Sequence, residues 1–356
     1  MISASPTGVL VVAGGSGGHI FPAVGFLEQA AARWGSATAL TFVTQKGKEA
    51  LAGQAPAACT VVGVEAGRSV RGILRLFSAA WRLTGRLRPA WVVGFGGYMT
   101  VPFCLAARLR GCRVLLHEQN VVPGRANRFL SFFADILAAS FEETRDHVAP
   151  LARKKVVRAR FPLRRRLAPE DAGAARRSFG LDPSRFTLLV LGGSQGARKL
   201  NAAVPPSVER SGIGDRIQVL HLCGRGEATA VAEAYGRLRV PNRVLTFFEE
   251  MERVYSAADL AVSRAGSGVL HELLRFGVPA ILIPYPYAGG HQAANAGVVG
   301  RLGAALVLEE ARLEPGTLGQ MMRILCTDGM RRKTMRAQAE RWFAERTAPE
   351  LTEIMS

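Results

Sequence analysis

Residues 9–18 read Val9-Leu10-Val11-Val12-Ala13-Gly14-Gly15-Ser16-Gly17-Gly18, and His19-Ile20-Phe21-Pro22 follows at once. Five apolar residues run into a glycine-rich turn, and a helical stretch begins behind it. An unbroken apolar run bounded by glycines is the pattern of a strand buried on both faces. The pattern returns at Thr187-Leu188-Leu189-Val190-Leu191-Gly192-Gly193-Ser194-Gln195-Gly196. Each copy is a strand, then G-G-S-x-G, then a helix, which is how a doubly wound α/β unit often opens. Two such openings in one chain imply two such units.

Working outward, short apolar runs alternate with longer amphipathic stretches. The strands expected in the first half are Val9–Ala13, Leu40–Thr44, Val61–Val64, Trp91–Gly94, Arg113–His117 and Ile136–Ala139. Those in the second half are Thr187–Leu191, Ile217–Leu222, Arg243–Phe247, Leu260–Ser263, Ala280–Pro284 and Ala304–Leu308. Strands separated by helices imply parallel sheets covered on both faces. Twelve strands exceed what one unit of this kind holds. The stretch 160–173, with Pro162 and Pro169, reads as the linker, and we divide the chain into residues 1–163 and 164–356.

The chain has 356 residues, 48% hydrophobic and 21% charged, which excludes disordered, collagen-like and disulfide-scaffold classes. Its five cysteines (Cys59, Cys104, Cys112, Cys223 and Cys326) form no C-x-x-C pair, so neither zinc nor a disulfide framework is indicated and a reducing compartment fits. No basic segment precedes an apolar core at the N-terminus, and no apolar run approaches the ~18 residues that span a bilayer. Any membrane contact is expected to be peripheral.

Net charge is +18, and a protein so basic should meet an anionic partner. Residues 1–163 carry 20 Lys/Arg against 8 Asp/Glu. The densest stretch, Arg68–Arg88, holds Arg68, Arg71, Arg75, Arg82, Arg86 and Arg88 with no acid, interleaved with Ile73, Leu74, Leu76, Phe77 and Trp81. That mixture reads either as a surface that dips into an anionic bilayer or as an ordinary helix with its apolar face in the core. Nucleic acid is the weaker partner, because no binding motif accompanies the charge.

Six loops carry the chemistry. Gly14–Gly18 lets backbone N–H groups approach a phosphate or sugar closely, and the helix start behind it adds partial positive charge. Pro22 suits the first turn of that helix. The spacing is not that of a dinucleotide site. His19, at the carboxyl edge of the sheet, is placed either to act as a base or simply to cap and pack. Gly94-Phe95-Gly96-Gly97-Tyr98 is a second close-approach loop, and His117-Glu118-Gln119-Asn120 ends a strand either in the ligand crevice or in a buried polar network. Gly192–Arg198 is the phosphate-type loop of the second half. In Ser263-Arg264-Ala265-Gly266-Ser267-Gly268-Val269-Leu270-His271-Glu272 a helix starts near Ser267, where free N–H groups can take a diphosphate. Glu272 follows one turn later, where a carboxylate can accept from both ribose hydroxyls. Finally, Gln292 and Asn295 are three apart on a starting helix, and neutral amides suit sugar hydroxyls. Each loop alone is also consistent with an ordinary βα connection. There is no Asp-x-Asp, no histidine spacing for a metal, no Walker loop and no Gly-x-Ser-x-Gly elbow.

In this order, from Gly14 to about Asn295, the motifs resemble those of the bacterial peptidoglycan glycosyltransferases of family 28 that convert lipid I to lipid II. The resemblance implies a GT-B fold, with two Rossmann-like αβα domains whose parallel sheets face a central cleft. It implies an inverting hexosyltransferase that moves GlcNAc from UDP-GlcNAc to the C4 hydroxyl of MurNAc in undecaprenyl-linked lipid I. That places the chain in peptidoglycan synthesis, and so in cell shape and division. Residues 1–163 become an acceptor and membrane-associating domain, and 164–356 a UDP-GlcNAc domain whose last helix is a candidate to pack back on the first. Carried over residue by residue, Ser16, Gly17, Gly18, Asn120, Arg164 and Ser194 fall on donor-contacting positions, and Phe248 on the position whose backbone holds uracil. Ser267, Gly268, Val269, Leu270, His271 and Glu272 fall on the diphosphate- and ribose-binding turn. Gln292 matches the sugar-contacting glutamine, with Asn295 beside it. His19 and Glu118 match the acceptor side and are the expected catalytic pair. No metal and no cofactor are implied. The resemblance also implies a peripheral place on the cytoplasmic face of the inner membrane, an anionic membrane surface as partner, and cell-wall synthesis proteins as further candidates. The chain departs from the family pattern at Arg160-Phe161-Pro162-Leu163-Arg164, where glycine and asparagine usually precede the proline, and at Val269, where a threonine is usual. A related glycolipid transferase, a UDP-GlcNAc epimerase of the same architecture and a non-catalytic sugar-nucleotide module are the alternatives.

Overall fold

Strand β1 (Gly8–Val12) is buried along its whole length and lies inside a seven-stranded sheet. Its partners are β2 (Ala39–Gln45), β3 (Cys59–Val64), β4 (Trp91–Gly94), β5 (Arg113–Glu118), β6 (Ile136–Ala139) and β7 (Val156–Arg158), in the order β3-β2-β1-β4-β5-β6-β7, every pair parallel. A second, wholly parallel sheet follows: β8 (Phe186–Leu191), β9 (Ile217–Leu222), β10 (Asn242–Leu245), β11 (Leu260–Ser263), β12 (Ala280–Leu282) and β13 (Ala305–Val307), in the order β10-β9-β8-β11-β12-β13. This computed structural model describes residues 5–67, 69–192, 197–287, 289–344 and 348–356. It divides into Met1–Arg165 with Thr347–Ser356, and Arg166–Arg346.

Helices cover each sheet because their apolar stripes have nowhere else to go. Gly17–Trp34 buries Ile20, Ala23, Val24, Phe26, Leu27 and Ala30 against β1 and β2 residues such as Val9, Val11 and Phe42. This helix starts at Gly17, so Pro22 sits in its second turn, not the first turn expected from the sequence. A proline there has no N–H to give the Gly18 carbonyl. On the other face of the same sheet, the helix Val70–Leu87 puts Leu76 and Ala80 into the core. The expectation of a core-facing helix therefore holds for part of the arginine-rich stretch. Leu76 is core and Phe77 packs against it, whereas Ile73, Leu74 and Trp81 are 48%, 63% and 40% exposed. Arg68 lies outside the described residues.

The sheet orders reverse direction between β1 and β4 in the first unit and between β8 and β11 in the second. Connections leave to opposite sides there and open a crevice at the carboxyl ends of the strands. The Gly14 N–H donates to the Gly96 carbonyl at 3.2 Å across the first switch point, and the Arg264 N–H to the Leu191 carbonyl at 3.2 Å across the second.

Candidate functional site

At the first switch point two glycine loops touch. A Cβ on Gly14 would meet the Gly96 carbonyl and Gly97 Cα at 3.3 Å, and Gly96 and Gly97 have φ of 88° and 84°. Only glycine adopts that backbone freely and allows that approach. His19 stands in the first turn of the helix behind Gly14. Ser16 holds the N-cap position, but its hydroxyl caps no backbone N–H and instead meets His19 Nδ1 at 2.9 Å. Burial lowers the pKa of His19, so the ring is neutral near pH 7. A Cβ on Gly96 would come within 3.2 Å of the ring, and one on Gly18 within 3.9 Å of Gln119 Nε2. The structure thus brings Ser16, Gly17, Gly18 and His19 together with the 96–97 loop and the strand end at 117–120.

Glu118 is buried. One carboxylate oxygen accepts from the Asn120 N–H at 2.9 Å and Asn120 Nδ2 at 3.1 Å, the other from the Gly124 N–H at 3.0 Å and Asn127 Nδ2 at 2.9 Å. Burial raises its pKa, opposed by these same donors. Both oxygens accept from the chain's own loop, so Glu118, expected as one of the catalytic pair, shapes the 118–127 turn and fixes Asn120 within it. Asn120 is further held through its carbonyl, which accepts from Thr144 Oγ1 at 3.1 Å. Asn127, which also donates to the His117 carbonyl at 3.0 Å, is a site residue that sequence reasoning missed. A lone asparagine on a short helix offers no pattern to find it by. Arg164 is buried over the Phe21 ring, 4.5 Å from its centroid, and Nη1 donates to Gln54 Oε1 at 2.6 Å.

At the second switch point the helix Ser267–Arg275 begins behind Gly266, which has no side chain to cap it. The first backbone bond of the helix runs from Leu270 N to Gly266 O, so the N–H groups of Ser267, Gly268 and Val269 have no acceptor within the helix. The positive end of such a helix favours an anion whether or not residue 269 carries a hydroxyl. Glu272 accepts from Tyr255 Oη at 2.5 Å. The buried tyrosine aims the carboxylate and is another residue the sequence did not single out. Gln292 Oε1 accepts from the Ala265 N–H at 3.2 Å and the Tyr285 N–H at 2.9 Å, so its amide NH2 is the group it has left to offer. Phe248 is half-buried, edge-on to Phe179 at 5.1 Å.

Three residues expected to contact substrate turn their side chains into the protein. Leu270 and His271 point into the core, His271 with Nδ1 at 2.8 Å from the Ser267 carbonyl and its ring 5.4 Å from that of Trp342. Asn295 is fully buried and its Nδ2 latches the Ala265 carbonyl at 3.4 Å, so it braces the turn. Ser194 lies outside the described residues. Among the described residues no group of three His, Cys, Asp or Glu is placed to hold a metal ion.

Residues 9–138 match the glycosyltransferase family 28 N-terminal domain and residues 187–351 its C-terminal domain. The UDP-N-acetylglucosamine–N-acetylmuramyl-(pentapeptide) pyrophosphoryl-undecaprenol N-acetylglucosamine transferase of Moorella thermoacetica is 34% identical, over 93% of each chain. Its namesake from Nitrosospira multiformis is 36% identical, over 88% of each chain. Among solved structures, Acinetobacter baumannii MurG superposes with a TM-score of 0.76 at 27% identity, covering 98% of both chains. A putative UDP-N-acetylglucosamine 2-epimerase from Listeria monocytogenes superposes with a TM-score of 0.67 at 12% identity, over 97% of this chain and 98% of the other, which is a likeness of fold alone.

Proposed function

The chain belongs to glycosyltransferase family 28, among the transferases that convert lipid I to lipid II, and from that premise we propose that it moves GlcNAc from UDP-GlcNAc to the C4 hydroxyl of MurNAc in undecaprenyl-pyrophosphoryl-MurNAc-pentapeptide. The observation that carries this reading is similarity to transferases of one reaction along 93% of both chains. In the reaction, O4 of the acceptor attacks C1 of the donor sugar from the face opposite UDP. The O4–C1 bond forms, the bond from C1 to the diphosphate oxygen breaks, and UDP leaves with the electron pair, giving a β-1,4 linkage.

His19 takes the hydroxyl proton. With Nδ1–H turned to Ser16, Nε2 carries the lone pair that a base needs, and burial keeps the ring neutral. The positive end of the helix Ser267–Arg275 receives the charge that grows on UDP, a preorganised field that needs no reorganisation at the moment of transfer. Glu272, aimed by Tyr255, holds the ribose, and the Gln292 amide reaches the sugar.

No helix among the described residues is long and apolar enough to cross a membrane. A peripheral hold on the anionic inner leaflet is supported by Ile73, Leu74 and Trp81, exposed beside Arg71, Arg75, Arg82 and Arg86. The helix Thr100–Leu109 contacts both this helix and Arg125–Leu130, and it carries the apolar exposure on through Leu109 to Phe129, Phe132 and Phe133. The decisive experiment supplies radiolabelled UDP-GlcNAc with and without a lipid I analogue. Label in a lipid-linked disaccharide that appears only with acceptor supports the transferase. Turnover of UDP-GlcNAc alone to an epimer would overturn it.

A further inference from the structure

In the second unit the side chain of Glu310 is only 3% exposed, just beyond β13. Its carboxylate meets Lys199 Nζ at 2.8 Å and Arg264 Nη2 at 2.5 Å. Lys199 stands in the first turn of the helix Arg198–Ser211, which follows β8. Arg264 follows β11, its Nη1 donates to the Ile283 carbonyl beyond β12 at 3.0 Å, and its guanidinium lies 5.5 Å from the Tyr285 ring centroid. One buried carboxylate therefore ties the carboxyl-end connections of β8, β11, β12 and β13, which lie side by side in the sheet. Burial alone would favour the protonated acid, but the two cations outweigh it and hold the pKa of Glu310 low, while Glu310 raises that of Lys199. A buried ionic cluster is a poor device for stability, because its desolvation offsets most of its attraction. What it supplies is direction: two cations and three loops held in one register, with one positive charge in excess.

We propose that Glu310 is a positioning residue for the sugar-nucleotide site, fixing Lys199, Arg264 and the loops after β8, β11 and β12 so that they meet the nucleotide diphosphate. The proposal rests on the UDP-GlcNAc reading above. It adds a residue outside all six glycine and polar loops read from the sequence. Glu310→Gln keeps the shape and removes the charge, and Glu310→Asp keeps the charge on a shorter arm.

The test titrates UDP into the full-length protein by calorimetry and measures transfer kinetics. Loss of the fixed cations should raise both the UDP Kd and the KM for UDP-GlcNAc at least about fivefold in Glu310→Gln, with kcat changed by less than about threefold, and Glu310→Asp should recover part of the loss. A Glu310→Gln protein that melts earlier but binds UDP within about twofold of wild type would show a merely structural role and overturn the proposal. If Glu310→Gln fails to fold, Lys199→Met decides: UDP affinity weakened at least about threefold supports the proposal, and unchanged affinity overturns it. A wild-type chain that binds no UDP overturns the donor reading and this proposal with it. A wild type that binds UDP beside an unaffected variant overturns this proposal alone.

Discussion

Glu272, the residue proposed to hold the donor ribose, presents a carboxylate that Tyr255 already holds at 2.5 Å. Removing the carboxylate and removing its support should therefore differ in degree. A hydrogen bond to a charged group is worth roughly 1.5–3 kcal/mol, so Glu272→Ala should lower kcat/KM about ten- to hundredfold through the donor KM, and Tyr255→Phe by a smaller factor of about three to ten. Calorimetry with UDP checks both, and unchanged affinity in Glu272→Ala would remove the ribose assignment. His19 makes a separate prediction. His19→Ala should cut kcat by about 10²–10⁴ and leave UDP binding nearly intact. Burial depresses its pKa below the ordinary 6.5, and the base must be neutral. Activity is therefore lost only as pH falls through that depressed value, and the acid limb of kcat/KM should lie below pH 6.5. An acid limb above 6.5 would exclude His19 as the base. The loops of this site were legible because glycine and polar residues cluster at strand ends. The orientation of their side chains was not. His271 and Asn295 stand in the same motifs as Glu272 and Gln292, and only packing against Trp342 and the Ala265 carbonyl sends them inward. Tyr255, Asn127 and Glu310 come from elements with no glycine signature at all.

At the scale of elements, strands with long apolar runs announced themselves, and β7 did not. Val156–Arg158 has three residues, follows Lys154 and Lys155, and ends in arginine. A short, charged strand is how a sheet protects an exposed edge, so the feature that makes β7 an edge also hides it. The helix Val70–Leu87 presented the opposite difficulty. Apolar residues occupy more of its circumference than one buried stripe needs, and the sequence alone does not say which stripe faces the sheet. The structure sends Leu76 and Ala80 inward and leaves Ile73, Leu74 and Trp81 out, with Arg110 stacked over Trp81 at 3.9 Å. An outward apolar stripe edged with arginine should favour anionic over neutral vesicles. Each arginine contributes about 1 kcal/mol near an anionic surface, so Arg71→Glu, Arg75→Glu and Arg82→Glu together should weaken binding to anionic vesicles at least about a hundredfold. Activity on a short-chain soluble acceptor should survive. Sedimentation checks the first expectation and the soluble assay the second. Wild-type sedimentation of the triple variant would place the bilayer contact elsewhere.

At the scale of the whole molecule, the chain ends in the unit where it began. The helix Leu351–Ile354 starts with a capping box between Glu350 and Glu353, and it buries Leu351 and Met355 in the cluster that holds Ile20, Phe26 and Leu27. The Arg160 N–H donates to the Pro349 carbonyl at 3.0 Å, and the Arg160 guanidinium lies 3.9 Å from the Glu350 carboxylate. The family resemblance implied that the last helix could pack back on the first domain, but no pattern in residues 348–356 themselves says which core they complete. Their loss should be felt by the first unit alone, because its core, and not that of Arg166–Arg346, loses the side chains. Truncating one buried leucine to alanine costs about 2–5 kcal/mol, and deleting residues 348–356 removes both Leu351 and Met355. At roughly 2–4 °C per kcal/mol for a unit of this size, the melting temperature of the first unit should fall by about 8 °C or more. Scanning calorimetry with and without UDP separates the units, since UDP held by the second unit, as proposed, would raise only the transition that contains its site. In the truncated chain the UDP-insensitive transition should move down while the UDP-sensitive one stays put. Unchanged melting would mean that this helix contributes nothing to the first core, and an equal fall in both transitions would mean that the two units unfold as one.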